Sequence, residues 1–249
     1  MFMPGVEVHP ALGPQTIGGV VPVAPSRAVP VRPGRLRAEA SRRLAALRPA
    51  LKRSLDIAGA CGLLATLFPL LLVAAALVKA DGGPALFAHE RVGRGGRRFG
   101  CLKFRSMVVD SAARLEALLA ADSGARAEWE ATRKLKSDPR VTRIGRFLRA
   151  TSLDELPQLI NVLRGEMSLV GPRPVPAAEL AEHYGAAAAL YASVRPGITG
   201  LWQVSGRSDT SYPARVALDL RYAANPTLLG DLRILFKTPA AVLLRRGAY

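Results

Sequence analysis

The sequence predicts an α+β fold: a mainly helical, membrane-associated domain with one small β-hairpin. Three observations predict it. Residues 57–78 carry no charged side chain, and this run of 22 residues is long enough to cross a bilayer. Strand-forming residues flank a glycine-rich turn between residues 85 and 107. From Leu156 to Leu163 the apolar residues recur at the spacing of a helix with one buried face.

The 249-residue chain has a formal net charge of +16 and a pI of about 11.0, so an anionic partner is expected. Nucleic acid, an anionic membrane surface and phosphorylated substrates all fit this charge. The basic residues are spread along the chain, and no zinc-finger, RNA-recognition or leucine-zipper pattern occurs, which argues against nucleic acid. The two cysteines indicate neither a disulfide framework nor a metal cluster.

The chain is expected to have three parts. Residues 1–40 are rich in Pro and Gly without periodicity, which predicts a disordered tail. Residues 41–80 combine a basic amphipathic segment, suited to an anionic membrane surface, with the uncharged run. Residues 81–249 form the remaining domain. Within it, residues 108–135 and 177–193 read as helical.

The positive charges that flank the uncharged run indicate on which side of a membrane its two ends lie. Lys52 and Arg53 precede it, and Lys79 and Arg91 follow it. Because cytoplasmic flanks carry such an excess of positive charge, both ends are expected on the same side. Pro69 lies near the middle, where it favours a kink. On these residues alone, a straight span and a broken helix that dips into one leaflet both remain open.

Two adjacent carboxylates, Asp154 and Glu155, lie at the start of the helix predicted from the apolar spacing. Ser152 with Glu155 matches a capping box, but that start would put Pro157 beyond the first turn. We therefore prefer Asp154 as the N-cap, with Gly165 as the C-terminal stop. Helix capping alone would explain both carboxylates.

The cations around this pair point to more than capping. A high density of arginines in the neighbouring sequence suits phosphate binding. An ionised carboxylate can bind Mg²⁺ or attack phosphorus when cations screen its repulsion from a phosphate. The arginines are Arg143, Arg146, Arg149, Arg164 and Arg173.

The string SLDELPQLINVLRGEMSLVGPRP, residues 152–174, resembles the core signature of the bacterial sugar transferases, the monotopic phosphoglycosyl transferases that initiate exopolysaccharide and O-antigen synthesis. Members of this family move a sugar-1-phosphate from a UDP-sugar to a polyprenyl phosphate at the inner membrane. The resemblance runs from about Lys52 to the C-terminus.

The resemblance implies a two-step mechanism and a set of site residues. Asp154 attacks the sugar-bearing phosphorus, UMP leaves, and polyprenyl phosphate then takes the phosphosugar. Glu155 helps to position the metal or the attacking group. Both carboxylates are implied as metal ligands, with Mg²⁺ as the cofactor and Mn²⁺ as a substitute. The expected substrate and phosphate ligands are Lys103, Arg105, Arg149, Arg173 and Arg207.

The resemblance also implies where the protein acts. Family members use a re-entrant helix-break-helix with a proline at the break, which favours that alternative with Pro69; Phe68 replaces a serine that often precedes this proline. The catalytic domain, residues 81–249, is then expected on the cytoplasmic face of the bacterial inner membrane. The expected partners are a UDP-sugar, undecaprenyl phosphate and inner-membrane lipids, without nucleic acid; a homodimer is left open.

Some questions stay open in the sequence. Asp219 and Asp231 lie on two predicted helices, either as helix caps or as acids that bear on activity. No residue is diagnostic of the sugar, although the C-terminal likeness suggests galactose or glucose. A rival enzyme class, the CDP-alcohol phosphotransferases, lacks support because its Asp-rich signature is absent. A non-catalytic basic membrane-surface adaptor is the remaining rival.

Overall fold

The computed structural model describes residues 35–132, 135, 137–206 and 210–243. The chain divides after residue 42 into two units, and every contact described below lies within the second, residues 43–249. Most of the predicted tail, residues 1–34, lies outside the described residues. The first helix begins at Arg35, before the predicted end of that tail at residue 40.

The predicted mainly helical fold with a small β-hairpin is confirmed, and the membrane association predicted with it stays a prediction. In chain order the elements are α1 (Arg35–Lys79), β1 (Leu86–Val92), β2 (Arg98–Phe104), α2 (Ser111–Ala121), α3 (Ser123–Thr132), α4 (Arg143–Thr151), α5 (Gln158–Arg164), β3 (Ser168–Val170), α6 (Ala177–Tyr184), α7 (Ala188–Tyr191), β4 (Gly197–Thr199), α8 (Tyr212–Ala224) and α9 (Leu228–Leu243).

The predicted hairpin is present. Strands β1 and β2 pair antiparallel from Leu86 opposite Phe104 to Val92 opposite Arg98. The turn between them contains Gly95 and Gly96 at φ values of 70° and 76°. Glycine adopts this left-handed conformation without the steric cost that a side chain would bring. The hairpin therefore places Lys103 near the end of β2 that lies away from the turn.

A second small sheet was not predicted. Strands β3 and β4 pair in parallel, with Ser168 opposite Gly197 and Val170 opposite Thr199. A Cβ atom on Gly197 would lie 2.0 Å from the backbone nitrogen of Gly171, so this close approach requires glycine. Strands of three residues are too short to produce an alternating pattern, which is why the sequence did not reveal them.

The main core joins α1, β2, α5 and α9. Asn161 of α5 is fully buried and ties the helix to β2. Its side-chain oxygen accepts a 3.0 Å hydrogen bond from the Leu102 amide, and its side-chain nitrogen donates to the Gly100 carbonyl at 2.8 Å. These bonds satisfy backbone groups of an edge strand and fix α5 against β2. The apolar members of this core include Ala60, Phe99, Leu159, Met167 and Ile234.

Two parts of α1 pack on this domain. Before the uncharged run, Lys52 donates to Asp231 at 2.8 Å, and Asp56 accepts from the Ser168 hydroxyl at 3.0 Å. Near its end, Ala74 and Val78 form a second apolar cluster with Phe104 and Leu148. Between Ala60 and Ala74 no residue of the helix is buried, and Pro69 lies in this exposed segment.

The outer face of α1 has no protein covering it within the described residues. The segment Leu47–Lys79 is long and apolar enough to cross a membrane, and only 11% of its most apolar window is buried. Single exposed apolar side chains are normal, but a continuous exposed strip of them marks an interaction surface. The exposed side chains of this strip include Leu51, Leu55, Leu63, Phe68, Leu70, Leu72, Val73 and Leu77.

Two helix boundaries differ from the prediction. Helix α5 begins at Gln158, and Asp154 is not its N-cap, because Leu153–Glu155 form a separate 3₁₀ turn. Pro157 lies between turn and helix, where its missing N–H costs nothing. The predicted helix at 108–135 is divided into α2 and α3. Asp122 separates them, accepting a 2.9 Å hydrogen bond from the Ala125 amide as an N-cap does.

Candidate active site

The carboxylate pair lies in a tight turn between two helices. Ser152 ends α4 in the left-handed conformation, at a φ of 58°, and the chain then turns through Leu153–Glu155 into α5. The turn leaves Asp154 only 8% exposed, beside Glu155. Because α5 is held to β2 by Asn161, this turn has a fixed position against the end of β2.

Glu155 is paired with the lysine that the sequence singled out. The Nζ atom of Lys103 lies 2.6 Å from Oε1 of Glu155, and both side chains are about a quarter exposed. Lys103 comes from β2 and Glu155 from the turn before α5, so the packing of these two elements creates the pair. Partial burial makes the pair stronger than one fully in water, since less solvent screens it.

The environment of Asp154 changes its acidity. Burial raises the pKa of Asp154 to about 6, and the nearby negative charge of Glu155 acts in the same direction. The positive charges of Lys103 and Arg149 lower the pKa and partly offset these effects. The result is a carboxylate that is mostly charged at neutral pH but poorly solvated.

A narrow cleft beside the pair carries more positive than negative charge. Arg91, Lys103 and Arg173 contribute positive charges to its wall, and Glu155 contributes a negative one. Burial and the neighbouring charge of Arg173 lower the pKa of Arg91. Two guanidinium groups in one cleft are suited to binding an anion that has several oxygens. The other lining residues are Cys101, Gln158, Pro174, Ile198 and Gln203.

The backbone of Arg173 is held from behind by two buried side chains. The Tyr191 hydroxyl donates to the Arg173 carbonyl oxygen at 2.9 Å and accepts from the Val175 amide at 3.3 Å. Asp219 lies behind the same loop, 1% exposed, and accepts a 2.9 Å hydrogen bond from Tyr184. Asp219 is therefore neither a helix cap nor a surface acid, because it lies in the middle of α8 and its side chain is buried.

Burial raises the pKa of Asp219 to about 7, while the hydrogen bond from Tyr184 and the backbone amide and charge of Arg173 lower it. The Arg173 guanidinium lies 5.8 Å from the centre of the Trp202 ring, at cation–π distance. Both features restrict where this arginine can point. Asp231, the other acid left open by the sequence, pairs with Lys52 and accepts from Tyr222 at 2.7 Å.

Arg105 requires a correction. The resemblance implies that it contacts a phosphate, but its guanidinium is used within the fold. It forms an ion pair with Asp81 through two nitrogens and donates to the carbonyl oxygens of Val78, Pro84 and Met107. These contacts occupy all five N–H groups that a guanidinium offers. The structure therefore gives Arg105 the role of holding the end of α1.

The remaining predicted residues have different positions. Arg149, at the end of α4, donates to the Ser106 hydroxyl at 2.8 Å and lies near enough to lower the pKa of Asp154. Arg207 lies outside the described residues, so its predicted phosphate contact stays a prediction. Pro69 lies within α1, which is a single helix through this position.

Sequence reasoning missed Arg91, Gln158 and Gln203 as lining residues of the cleft, and Tyr191 as a support of Arg173. Gln158 belongs to the Asp-Glu-Leu-Pro-Gln string, so its place in that signature was a usable signal. The same holds for Gln203 in the glycine-rich run Gly197–Gly206. Arg91 carried no signal beyond the positive charge that follows the uncharged run.

The turn offers the two carboxylates of Asp154 and Glu155 to a metal ion. Within the described parts of the chain, no cluster of three or more His, Cys, Asp or Glu side chains is placed to hold a metal ion. Mg²⁺, however, is usually bound by one or two carboxylates together with substrate phosphates and water. Asp154 and Glu155 fit this open mode of binding, beside a cleft with cations for the phosphates.

Comparison with known proteins identifies the family. The chain matches the family model described as bacterial sugar transferase over residues 47–245. It is 57% identical to a UDP-galactose-lipid carrier transferase of Erwinia amylovora over 199 residues, which is 80% of this chain and 42% of that protein. The chain thus spans about two fifths of the length of this relative.

Two further relatives match over more of their own length. The exopolysaccharide production protein ExoY of Rhizobium meliloti is 53% identical over 80% of this chain and 88% of its own length. A UDP-glucose:undecaprenyl-phosphate glucose-1-phosphate transferase of Caulobacter vibrioides is 42% identical over 80% of this chain and 72% of its own length. The family-model match, residues 47–245, includes the carboxylate turn, the cleft and the part of α1 from residue 47 onward, and the chain belongs to the bacterial sugar transferase family.

Proposed function

We propose that this protein transfers a hexose-1-phosphate from a UDP-sugar to undecaprenyl phosphate and releases UMP, as the first membrane step of a bacterial polysaccharide. The observation that carries the proposal is the buried Asp154, adjacent to the Lys103–Glu155 pair and a cleft containing Arg91 and Arg173. Membership of the bacterial sugar transferase family supports the reaction class. The names of the relatives mention both galactose and glucose, so either hexose fits.

In the first step, a carboxylate oxygen of Asp154 attacks the phosphorus that bears the sugar. A bond forms between this oxygen and phosphorus, the bond between phosphorus and the bridging oxygen breaks, and UMP leaves with the electron pair. Arg91 and Arg173 bind the diphosphate and reduce its repulsion of the carboxylate. Lys103 neutralises Glu155, so that the second carboxylate adds less negative charge beside the nucleophile.

In the second step, an oxygen of undecaprenyl phosphate attacks the phosphorus of the aspartyl-phosphosugar. The new bond gives undecaprenyl diphosphate carrying the sugar, and Asp154 is released as a carboxylate. Covalent capture divides one difficult transfer into two easier displacements. It also lets UMP leave before the lipid substrate occupies the same cleft.

Mg²⁺, or Mn²⁺ in its place, is the proposed cofactor. Glu155, with Asp154, would hold it, and the ion would supply charge neutralisation to the phosphate oxygens. The described residues offer two carboxylates here rather than a closed set of ligands, which suits an ion that arrives with the nucleotide. The protein's own cations, Arg91, Lys103 and Arg173, remain responsible for orienting the diphosphate.

We propose that α1 is re-entrant, entering the cytoplasmic leaflet of the inner membrane and returning. The support is the pattern of burial along it. Asp56 and Ala60, and further along the helix Ala74 and Val78, pack on the same domain, while the segment between them is exposed and apolar. Contacts of both pairs with one domain support a topology in which both flanks of the uncharged run lie on the same side of the bilayer. Pro69 lies within the exposed segment, where a bend would be needed.

The experiment that tests the function replaces Asp154 with Asn. Asp154→Asn keeps the size of the side chain but removes the attacking carboxylate, so we expect turnover to be lost while folding and membrane association are kept. Wild type incubated with UDP-galactose or UDP-glucose alone should release UMP and gain a hexose phosphate on the peptide containing Asp154. A matched control, Asp110→Asn, makes the same change at an exposed acid that pairs with Arg114.

Each outcome distinguishes the alternatives. Near-normal turnover by Asp154→Asn, or no release of UMP by wild type until undecaprenyl phosphate is added, would replace the covalent mechanism with direct transfer between two bound substrates. No release of UMP with any UDP-sugar, with lipid and Mg²⁺ present, would favour the membrane-surface adaptor. Full turnover in excess chelator would contradict the metal assignment.

A further inference from the structure

A second positively charged site lies at the opposite end of the hairpin from the carboxylate turn. It is an open groove of about 520 Å³ between the turn that joins β1 to β2 and the C-terminal end of α5. A volume of this size is typical of sites for small molecules. Five arginines and a single carboxylate, that of Glu166, line it; the arginines are Arg94, Arg97, Arg98, Arg164 and Arg195.

The charges of this groove are poorly balanced within the protein. Arg98 pairs with Glu90 at 2.9 Å, and Glu166 accepts a 2.6 Å hydrogen bond from the Asn161 amide. Among the described residues, no ion pair involves Arg94, Arg97 or Arg164 (the remaining cations of the rim). Guanidinium groups collected around one concave surface without matching carboxylates form a site for an anion with several oxygens.

The innermost arginine is affected by this crowding. Arg195 is half-buried and donates to the Gly165 carbonyl oxygen at 2.7 Å. Burial and the charges of Arg53 and Arg94 lower its pKa. A bound anion would relieve the repulsion among these three side chains, because it brings negative charge between like charges.

This groove is separate from the candidate active site. None of its lining residues lines the active-site cleft. Arg98, at the groove, and Lys103, at the cleft, lie five residues apart on β2, which corresponds to about 17 Å along an extended strand. The two sites come closer at Arg91, which lines the cleft and is the strand partner of Phe99 on the groove wall.

The groove lies beside the start of the apolar part of α1. Arg53 donates to the carbonyl oxygens of Val162 and Leu163 at 2.6 and 3.0 Å, at the end of α5. A side chain placed at Gly165, on the groove wall, would touch the Arg53 guanidinium. Only three residues lie between Arg53 and the uncharged run 57–78. With α1 in the membrane, the groove is then at the level of lipid phosphates.

We propose that this groove binds the phosphate headgroup of an anionic phospholipid in the membrane around the protein. The inference rests on the proposed membrane association of α1. A phosphodiester headgroup supplies the oxygens and the negative charge that the arginines lack, and lipid phosphates lie at the depth of the groove. Bound lipid would hold the hairpin end of the domain against the membrane surface.

The test uses the full chain in phosphatidylcholine nanodiscs that contain a minor fraction of phosphatidylglycerol. The protein is extracted into a neutral detergent, and the lipids that stay bound are measured by mass spectrometry. We expect phosphatidylglycerol to be enriched over its bulk fraction on wild type. Arg97→Gln with Arg164→Gln should lower this enrichment by about fivefold for each charge removed.

The control variant combines Arg114→Gln with Arg126→Gln, which removes the same charge from the exposed surfaces of α2 and α3 and should keep the enrichment. Equal enrichment on both double variants would overturn the site. Calorimetry with inorganic phosphate, on protein in neutral nanodiscs, tests whether the groove binds free phosphate instead. If wild type binds phosphate tightly and the Arg97/Arg164 variant does not, the groove is a site for soluble phosphate and the lipid assignment is overturned.

Release of UMP in neutral nanodiscs is measured in parallel. The sequence grouped Arg164 with the arginines around Asp154, but the structure places it at the groove, and neither Arg97 nor Arg164 lines the catalytic cleft. We therefore expect the Arg97/Arg164 variant to turn over normally. Loss of enrichment with normal turnover confirms a separate lipid site. If wild type and both double variants release no UMP, while phosphatidylglycerol is still enriched on wild type, the transferase proposal is overturned and the lipid site is retained.

Discussion

The hydroxyl of Tyr191 donates a 2.9 Å hydrogen bond to the backbone carbonyl oxygen of Arg173. The two residues come from different elements, α7 and the loop after β3, and Tyr191 is 1% exposed. The bond fixes the backbone from which the Arg173 side chain reaches the cleft. Because Asp219 lies behind the same loop, the position of this arginine depends on residues that never contact a substrate.

Removing this bond tests whether it positions Arg173. Tyr191→Phe deletes the hydroxyl from a buried site, and we expect a loss of about 1 kcal/mol in the free energy of unfolding. We also expect a several-fold rise in KM for the UDP-sugar, with a smaller change in kcat, since the loop can then move away from the diphosphate. The control is Tyr212→Phe, which removes a hydroxyl that donates to Glu179 instead. Equal effects on KM in both variants would contradict a specific role.

The acidity of Asp154 predicts the pH dependence of the reaction. The attacking form is the carboxylate, and its pKa is raised to about 6, so kcat/KM should rise with pH through about 6 and level off above it. Lys103 lowers this pKa, so Lys103→Gln should move the acidic limb to higher pH as well as lowering the rate. A pH–rate profile with saturating Mg²⁺ measures both. An unshifted limb in Lys103→Gln would separate the lysine from the nucleophile.

Asp219 predicts a pH dependence of stability. Its pKa is raised from 3.8 in the unfolded chain to about 7 in the folded protein, so the folded state binds more protons between these values. Its contribution to stability is therefore fully present below about pH 4 and is lost as the pH rises through 7. In Asp219→Asn, the denaturant concentration at the unfolding midpoint should change less between pH 4 and 7 than it does in wild type. Denaturant unfolding across this range, with wild type alongside, measures the effect.

A steeper fall of stability in Asp219→Asn than in wild type between pH 4 and 7 would contradict this assignment. The side-chain amide of Asn keeps an oxygen to accept from Tyr184, so the packing of α8 on α6 should survive the change. At pH 8 we expect the variant to be the more stable protein. The difference should be on the order of a few kcal/mol, as a pKa shift of this size implies.

The topology of α1 can be tested by labelling. Single cysteines placed before Lys52 and after Lys79, in a background in which Cys61 and Cys101 are replaced, should react from the same side of intact cells. The reason is that α1 packs on one domain on either side of its exposed segment, through Lys52 with Asp231 and through Val78 with Phe104. Membrane-impermeant reagent added before and after permeabilisation gives the measurement. Labelling from opposite sides would establish a straight span.

Local patterns in the chain were enough to predict the coarse fold and the centre of the site. The hairpin could be predicted because its glycines and strand residues act over a few neighbouring positions. The uncharged run could be recognised by composition, and the Asp-Glu pair by its signature. The start of α5 was predicted incorrectly, because the preference for a capping acid competed with a separate turn that Pro157 allows.

The sequence by itself determined which residues carry charge, which segment is apolar enough for a membrane, and which family signature the chain bears. Only the tertiary structure decided which of the cations face a common cleft. Arg105 and Arg173 are equally basic in sequence, yet Asp81 and three carbonyl oxygens occupy Arg105, while Tyr191 and Asp219 support Arg173 at the cleft. The physical reason is that a guanidinium is committed by its hydrogen-bond partners. Asp81, Val78 and Pro84 lie 21 to 27 residues from Arg105 along the chain, so only folding brings them to its guanidinium.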